Sequence, residues 1–194
     1  MTPLVTQQAP DFTAQAVMPD GEFKELTLSD FKGKYVLLFF WPLDFTFVCP
    51  SEVVAFDRAL EKFESRNVVV LGCSVDSHFT HYNWRITPRD KGGIGSVRFP
   101  MISDLDHSIA KAFNVHVDMG LALRGTYIID RAGIIQHSSV NNLPLGRNVE
   151  EYIRVIDALQ FSEEHGDVCP ANWKKGDKGM PATITGMQEY MKTL

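Results

Sequence analysis

Three cysteines, Cys49, Cys73 and Cys169, are the most reactive side chains in the sequence, and each stands in a different setting. Cys49 closes the segment Pro42-Leu-Asp-Phe-Thr46-Phe-Val-Cys49-Pro50, between an apolar run and residues at helical spacing. A cysteine that opens a helix meets unpaired N–H groups and the positive end of the peptide dipole, which favour the nucleophilic thiolate. A residue before proline avoids the α region and proline suits the first helical position, so Cys49 is expected at the N-cap. Thr46, three residues earlier, brings a hydroxyl near the sulfur. Cys73, inside Val68-Val-Val-Leu-Gly-Cys73-Ser-Val75, reads as a small core residue. Cys169, followed by Pro170 in a polar, glycine-punctuated tail, reads as an exposed thiol partner. No two cysteines form a C-x-x-C pair, and an odd count of three argues against a secreted disulfide framework.

The elements that must position these residues follow from periodicity. Two short extended stretches flank Pro19-Asp20-Gly21 and predict an N-terminal hairpin. Tyr35 to Phe40 is a continuous β-prone run, and Val53, Phe56, Leu60 and Phe63 mark one helix over Cys49 to Arg66. Asn67 to Val75 predicts a second buried strand, and His78 to Ile86 a short helix. Leu105, Ile109, Ala112 and Phe113 are expected to line a further helix whose start carries Asp104 and Asp106. Thr126 to Asp130 and Ile134 to Val140, joined through Arg131-Ala-Gly133, predict a hairpin at a sheet edge. Asn148 with Glu151 gives a capping-box pattern for a last helix with Val149, Tyr152, Ile153, Ile156 and Leu159 on its apolar face. From Glu163 onward periodicity fades into an arm.

Composition narrows the function classes. The 194 residues hold 44% hydrophobic and 22% charged side chains, which fits one folded domain and a tail. A net charge of −5 with no basic stripe argues against nucleic acid. The longest apolar run, Tyr35 to Leu43, is far short of the ~20 residues that span a bilayer, so no membrane partner is expected. Without positive charge or an apolar segment before Lys24, a cytoplasmic location is expected. His78 and His81 lack a third ligand nearby, and the Gly92-Gly-Ile-Gly95 loop does not lead from a buried strand into a helix. Neither a metal, a nucleotide nor another cofactor is expected.

Pro42, Thr46 and Cys49 reproduce the P-x-x-x-[ST]-x-x-C signature of peroxiredoxins, and Val168-Cys169-Pro170 resembles the resolving motif of their typical two-cysteine class. The likeness extends through Gly72-Cys-Ser-Val-Asp-Ser77, the Gly92 loop, Arg124-Gly-Thr126 and Tyr190. The chain is similar to the thiol-specific antioxidant and alkyl hydroperoxide reductase catalytic-subunit type. That resemblance implies an α/β, thioredoxin-like fold with a mixed central sheet, an N-terminal hairpin and an extended C-terminal arm. The peroxidase domain would be 1–163 and the arm 164–194. Cys49 would attack a hydroperoxide and become a sulfenic acid. Thr46 would orient the peroxide, Arg124 would stabilise charge on the sulfur and the reacting oxygens, Pro42 would shield the sulfenate, and Glu52 would hold the arginine. Cys169 would resolve the sulfenic acid as a disulfide between the subunits of a homodimer, often part of a decamer, and thioredoxin or a similar dithiol would reduce it.

The alternative is that the same sulfur chemistry serves a holdase chaperone or a peroxide-sensing relay. Phe45, Phe47 and Trp84 read as packing or subunit-contact residues without a catalytic role. Overoxidation-sensitive members carry Gly-Gly-Leu-Gly and a C-terminal Tyr-Phe. Here Gly92-Gly-Ile-Gly95 and Tyr190-Met191 stand in those places, so intermediate sensitivity to sulfinic acid formation is expected.

Overall fold

A seven-stranded mixed sheet carries the reactive segment at the end of one of its inner strands. The computed structural model describes residues 3–193, in two compact units, Met1–Val149 and Glu150–Leu194. In the first unit the strands are β1 (Thr13–Val17), β2 (Phe23–Thr27), β3 (Tyr35–Phe40), β4 (Val68–Ser74), β5 (Met101–Ser103), β8 (Arg124–Ile129) and β9 (Ile135–Asn141), in the order β2-β1-β5-β4-β3-β8-β9. β3, β4 and β5 run parallel, whereas β1 and β8 pair antiparallel on either side of them. A separate two-stranded hairpin joins β6 (His116–Val117) to β7 (Leu121–Ala122). The N-terminal hairpin and the β8–β9 edge hairpin agree with the sequence reading. β3, all of whose residues are buried, has the predicted bounds. Its side chains need cover on both faces, which the parallel arrangement supplies.

The helices depart from expectation in instructive places. The single helix over Cys49 to Arg66 is two, α1 (Cys49–Arg58) and α2 (Leu60–Glu64), meeting at Ala59. All four of its predicted apolar residues are buried. α3 (His78–Ile86) has the expected bounds, with the Ser77 side chain accepting a hydrogen bond from the Thr80 N–H. α4 is only Ser108–Ala112, and Leu105, expected on its apolar face, is 66% exposed. The cause is Asp104, whose two oxygens accept from the Ile109 and Ala110 N–H groups, so the helix begins beyond Leu105. Asp104 and Asp106, expected in the first turn, precede the helix, whose N-cap is His107, and accept from its first three N–H groups.

α5 (Val149–His165) begins at the last residue of the first unit, and in the second unit it is followed by a short pairing of Val168 with Met180 and by α6 (Ile184–Met191). α6 carries no local signal in the residues. Its N-cap, Thr183, accepts from the Gly186 N–H, but none of its residues is buried, so no apolar periodicity announces it. Phe161 packs on Trp173 with ring centroids 4.9 Å apart, and Arg154 donates to the Trp173 carbonyl. These contacts tie the loop that carries Cys169 to α5.

Candidate active site

β3 ends at Phe40, and the chain turns through Pro42–Val48 into α1. Because Phe39 lies opposite Thr126 in the antiparallel β3–β8 pair, Arg124 falls beside this turn. Gly125 permits the approach of the Val115 side chain, since a Cβ there would lie 2.5 Å from Val115 Cγ1. Cys49 is the first residue of α1, with Val48 as N-cap and Pro50 within the first turn. This corrects the N-cap expectation by one residue: Cys49 takes helical backbone geometry despite the following proline.

Cys49 is 1% exposed, and its Sγ has two donors. The Thr46 hydroxyl lies 2.9 Å from it and 2.8 Å from the Leu43 carbonyl. A hydroxyl has one proton, so it serves the carbonyl when sulfur is a thiol and turns to sulfur when sulfur is an anion. Arg124 Nη1 lies 3.4 Å from Sγ, while its Nε donates to the Leu143 carbonyl at 2.8 Å. Pro42, Leu43, Thr46, Phe47, Val48, Leu121, Leu143 and Pro144 complete a largely apolar cleft of about 470 Å³ over the sulfur. A second cleft, among Leu28, Phe31, Lys34 and Ile129 at the opposite ends of β3 and β8, is lined by no cysteine.

Behind the sulfur lies a buried ionic cluster. Cys49, Glu52, Val53 and Phe56 share the buried face of α1 at spacings of three and four. Glu52 accepts four hydrogen bonds: from the Arg147 N–H and Nε on Oε1, and from Arg124 Nη1 and Arg147 Nη2 on Oε2. Arg147 also donates to the Gly125 carbonyl and Thr126 hydroxyl, and stands over the Phe39 and Phe56 rings at 5.2 and 5.5 Å. Its side chain is wholly buried. Two cations and one carboxylate leave the cluster one positive charge in excess beside the Cys49 sulfur.

Arg147 was not anticipated. It follows Gly146 in a polar stretch, and its partner is 95 residues away, so no local pattern marks it. The available signal was Glu52 itself, since a carboxylate on the buried face of a helix needs more than one hydrogen-bonding cation.

A second buried network fixes the loop. Asp44 accepts from Trp41 Nε1 at 2.8 Å and meets His81 Nδ1 at 2.7 Å, and its own N–H donates to Asp76. His81 Nε2 faces the Ile102 carbonyl, so both ring nitrogens have protein partners. Burial raises the Asp44 carboxyl above its ordinary range, against the opposing pull of His81. These bonds hold Phe45 in left-handed backbone geometry at φ 53°, a conformation costly for an aromatic residue unless its neighbours fix it. Phe45 and Phe47 are exposed and Trp84 is fully buried, and none of the three contacts the sulfur through a polar atom.

The other cysteines separate clearly. Cys73 is fully buried, and burial pushes its thiol far above the usual range, with Asp104 adding to the effect. Cys169 is partly exposed, and its Sγ faces the Ala158 carbonyl at 3.4 Å.

Comparison with known proteins agrees with this sulfur-centred site. The AhpC/TSA family model matches residues 5–138, and the model for the C-terminal domain of 1-Cys peroxiredoxin matches residues 158–193. Alkyl hydroperoxide reductase C of Helicobacter pylori is 50% identical over 97% of this chain and 96% of its own length. The mitochondrial thioredoxin-dependent peroxide reductase of Rattus norvegicus is 51% identical over 98% of this chain and 74% of its own. The reduced 2-Cys peroxiredoxin of Plasmodium vivax superposes with a TM-score of 0.97 at 51% identity, covering 98% of this chain and all of that one. With this fold, this sulfur and relatives alike over nearly its whole length, the chain belongs to the AhpC/TSA family and is a peroxiredoxin, a thiol peroxidase.

Proposed function

We propose that the Cys49 thiolate is the group that reduces hydrogen peroxide and organic hydroperoxides. The observation that carries this is the charge of the buried cluster: Arg124, Arg147 and Glu52 are completed by an anion at Sγ. The thiolate attacks the terminal oxygen of the hydroperoxide. The S–O bond forms as the O–O bond breaks, and the leaving oxygen takes a proton and departs as water or an alcohol. Arg124 donates toward the charge that moves from sulfur to oxygen, and Thr46 holds the hydroxyl that orients the peroxide. Pro42 and the apolar cleft keep water from the resulting sulfenic acid.

Cys169 of a second copy then attacks the Cys49 sulfur, forming an intersubunit disulfide and releasing water. A thioredoxin-type dithiol restores both thiols by two exchanges. The homodimer this requires is supported by the two-cysteine pattern. A face carrying Phe23, Phe79, Tyr82 and Ile86, all exposed, offers apolar surface for larger assemblies. No observation favours the chaperone or relay alternative. In a coupled assay with thioredoxin, its reductase and NADPH, wild-type protein is expected to consume peroxide, and Cys49→Ser and Cys169→Ser are each expected to stop that cycle. Undiminished turnover in Cys49→Ser would refute the proposal.

Two further results are expected. Thr46→Val should slow the peroxide step roughly ten- to a hundredfold, the range of a hydrogen bond to a charged group, while Thr46→Ser retains most of the rate. Stopped-flow mixing with peroxide measures both, and equal loss in the two variants would remove the hydroxyl from the mechanism. Burial raises the Cys169 thiol, against the pull of Arg154, so at neutral pH it is protonated. Only the thiolate attacks, so disulfide formation should accelerate by about tenfold per pH unit below that pKa, and continue to do so up to the usual thiol range. A resolving step independent of pH would contradict this.

A further inference from the structure

Away from the sulfur, His107 Nδ1 and His116 Nε2 face each other at 2.9 Å, with ring centroids 5.1 Å apart and planes at 50°. We propose that this pair is a binding site for a divalent transition-metal ion that favours imidazole in tetragonal geometry, Cu(II) or Ni(II) ahead of Zn(II). Two metal–nitrogen bonds of about 2.05 Å at a right angle put their nitrogens about 2.9 Å apart, whereas a tetrahedral ion needs about 3.3 Å. The observed 2.9 Å is the length of the hydrogen bond itself, and modest rotations of the two rings turn both lone pairs onto one ion.

Each ligand is held by a different element. His107 has left-handed backbone at φ 64°, its N–H bonded to the Asp104 carbonyl and its own carbonyl accepting from the Lys111 N–H. Asp104 is itself fixed by capping α4. His116 lies in the β6–β7 hairpin, paired with Ala122. As a hydrogen-bonded pair, one inner nitrogen carries a proton and the other offers its lone pair. Binding an ion requires only that this proton leave the inner nitrogen while one is taken up at the outer nitrogen of the same ring, so both imidazoles stay neutral and no net proton is released. Both histidines are partly exposed, which gives the ion a path in, and the Asp106 and Asp118 side chains near them in sequence are exposed.

Among the described residues no cluster of three or more metal-ligating side chains occurs, so water completes the coordination and the ion exchanges. The site has a consequence for the cleft. Leu121 of the same hairpin lines the wall over Cys49, so an ion that fastens β6 to the start of α4 restrains that wall.

The test uses the full chain carrying Cys49→Ser and Cys169→Ser, which removes the thiols that compete for metal or are oxidised by it. Titrated with Cu(II) in a non-chelating buffer, this protein should bind one ion per chain, with an electron paramagnetic resonance signal split by two imidazole nitrogens. His107→Asn, which suits the left-handed position, and His116→Gln should each weaken binding at least tenfold. His78→Asn should leave it unchanged. Near-UV circular dichroism checks the fold, and His107→Asn alone decides if the second variant is misfolded. Absence of binding at about 0.1 mM copper, or equal affinity in His107→Asn, would overturn the proposal.

Discussion

Arg124→Lys is expected to lower the second-order rate with peroxide by roughly 10²- to 10³-fold, the loss seen when a donor aimed at developing charge is removed. Arg124 reaches the Leu143 carbonyl through Nε and both Glu52 and Cys49 through Nη1. A lysine ammonium is a point charge on a flexible stem and cannot hold these three partners from one anchored plane. The fold should tolerate the change, because Glu52 keeps its three bonds from Arg147. A rate loss with little change in melting temperature therefore separates a role at the sulfur from a merely structural one. If stopped-flow rates for Arg124→Lys stay within a factor of two of wild type, Arg124 does not act on the reacting atoms.

Glu52→Ala should have the opposite balance, with a large effect on stability. It leaves two buried guanidinium groups without their shared carboxylate, in side chains that are at most 4% exposed. Breaking a buried ion pair by removing one partner costs about 3–5 kcal/mol. For a chain of this size that corresponds to a fall of roughly 6 to 20 °C in melting temperature. Glu52→Gln restores shape and two hydrogen-bonding groups but not charge, so it should lie between the wild type and Glu52→Ala. Calorimetry on the reduced protein measures the series. A melting temperature unchanged in Glu52→Ala would show that the arginines find other partners, and the charge argument would lose its base.

Much of this was legible in the residues. The strand at Tyr35–Phe40 and the helix at His78–Ile86 have the expected bounds because their apolar runs and caps are local signals. Thr46 was placed near Cys49 from a three-residue spacing, and Glu52 was drawn toward the arginine by family resemblance. What escaped depends on distant partners. β5 is three residues long, too short for periodicity, and exists because β4 and β1 flank it. α4 starts late because the side chain of Asp104, four residues before its first residue, captures the Ile109 and Ala110 N–H groups. Arg147 and the Asp44–His81 pair owe their roles to contacts 95 and 37 residues apart, which no window along the chain contains.

The central claim is that oxygen from peroxide lands on Cys49 and is passed on through Cys169. Reduced protein should be treated with one equivalent of hydrogen peroxide, digested without reduction, and mapped by mass spectrometry. Wild type should show a peptide pair linked through Cys49 and Cys169, with Cys73 unmodified. Cys169→Ser should instead carry a trappable sulfenic acid on Cys49 alone. Oxidation found first on Cys169 or Cys73, or free thiols persisting in every variant, would contradict the account.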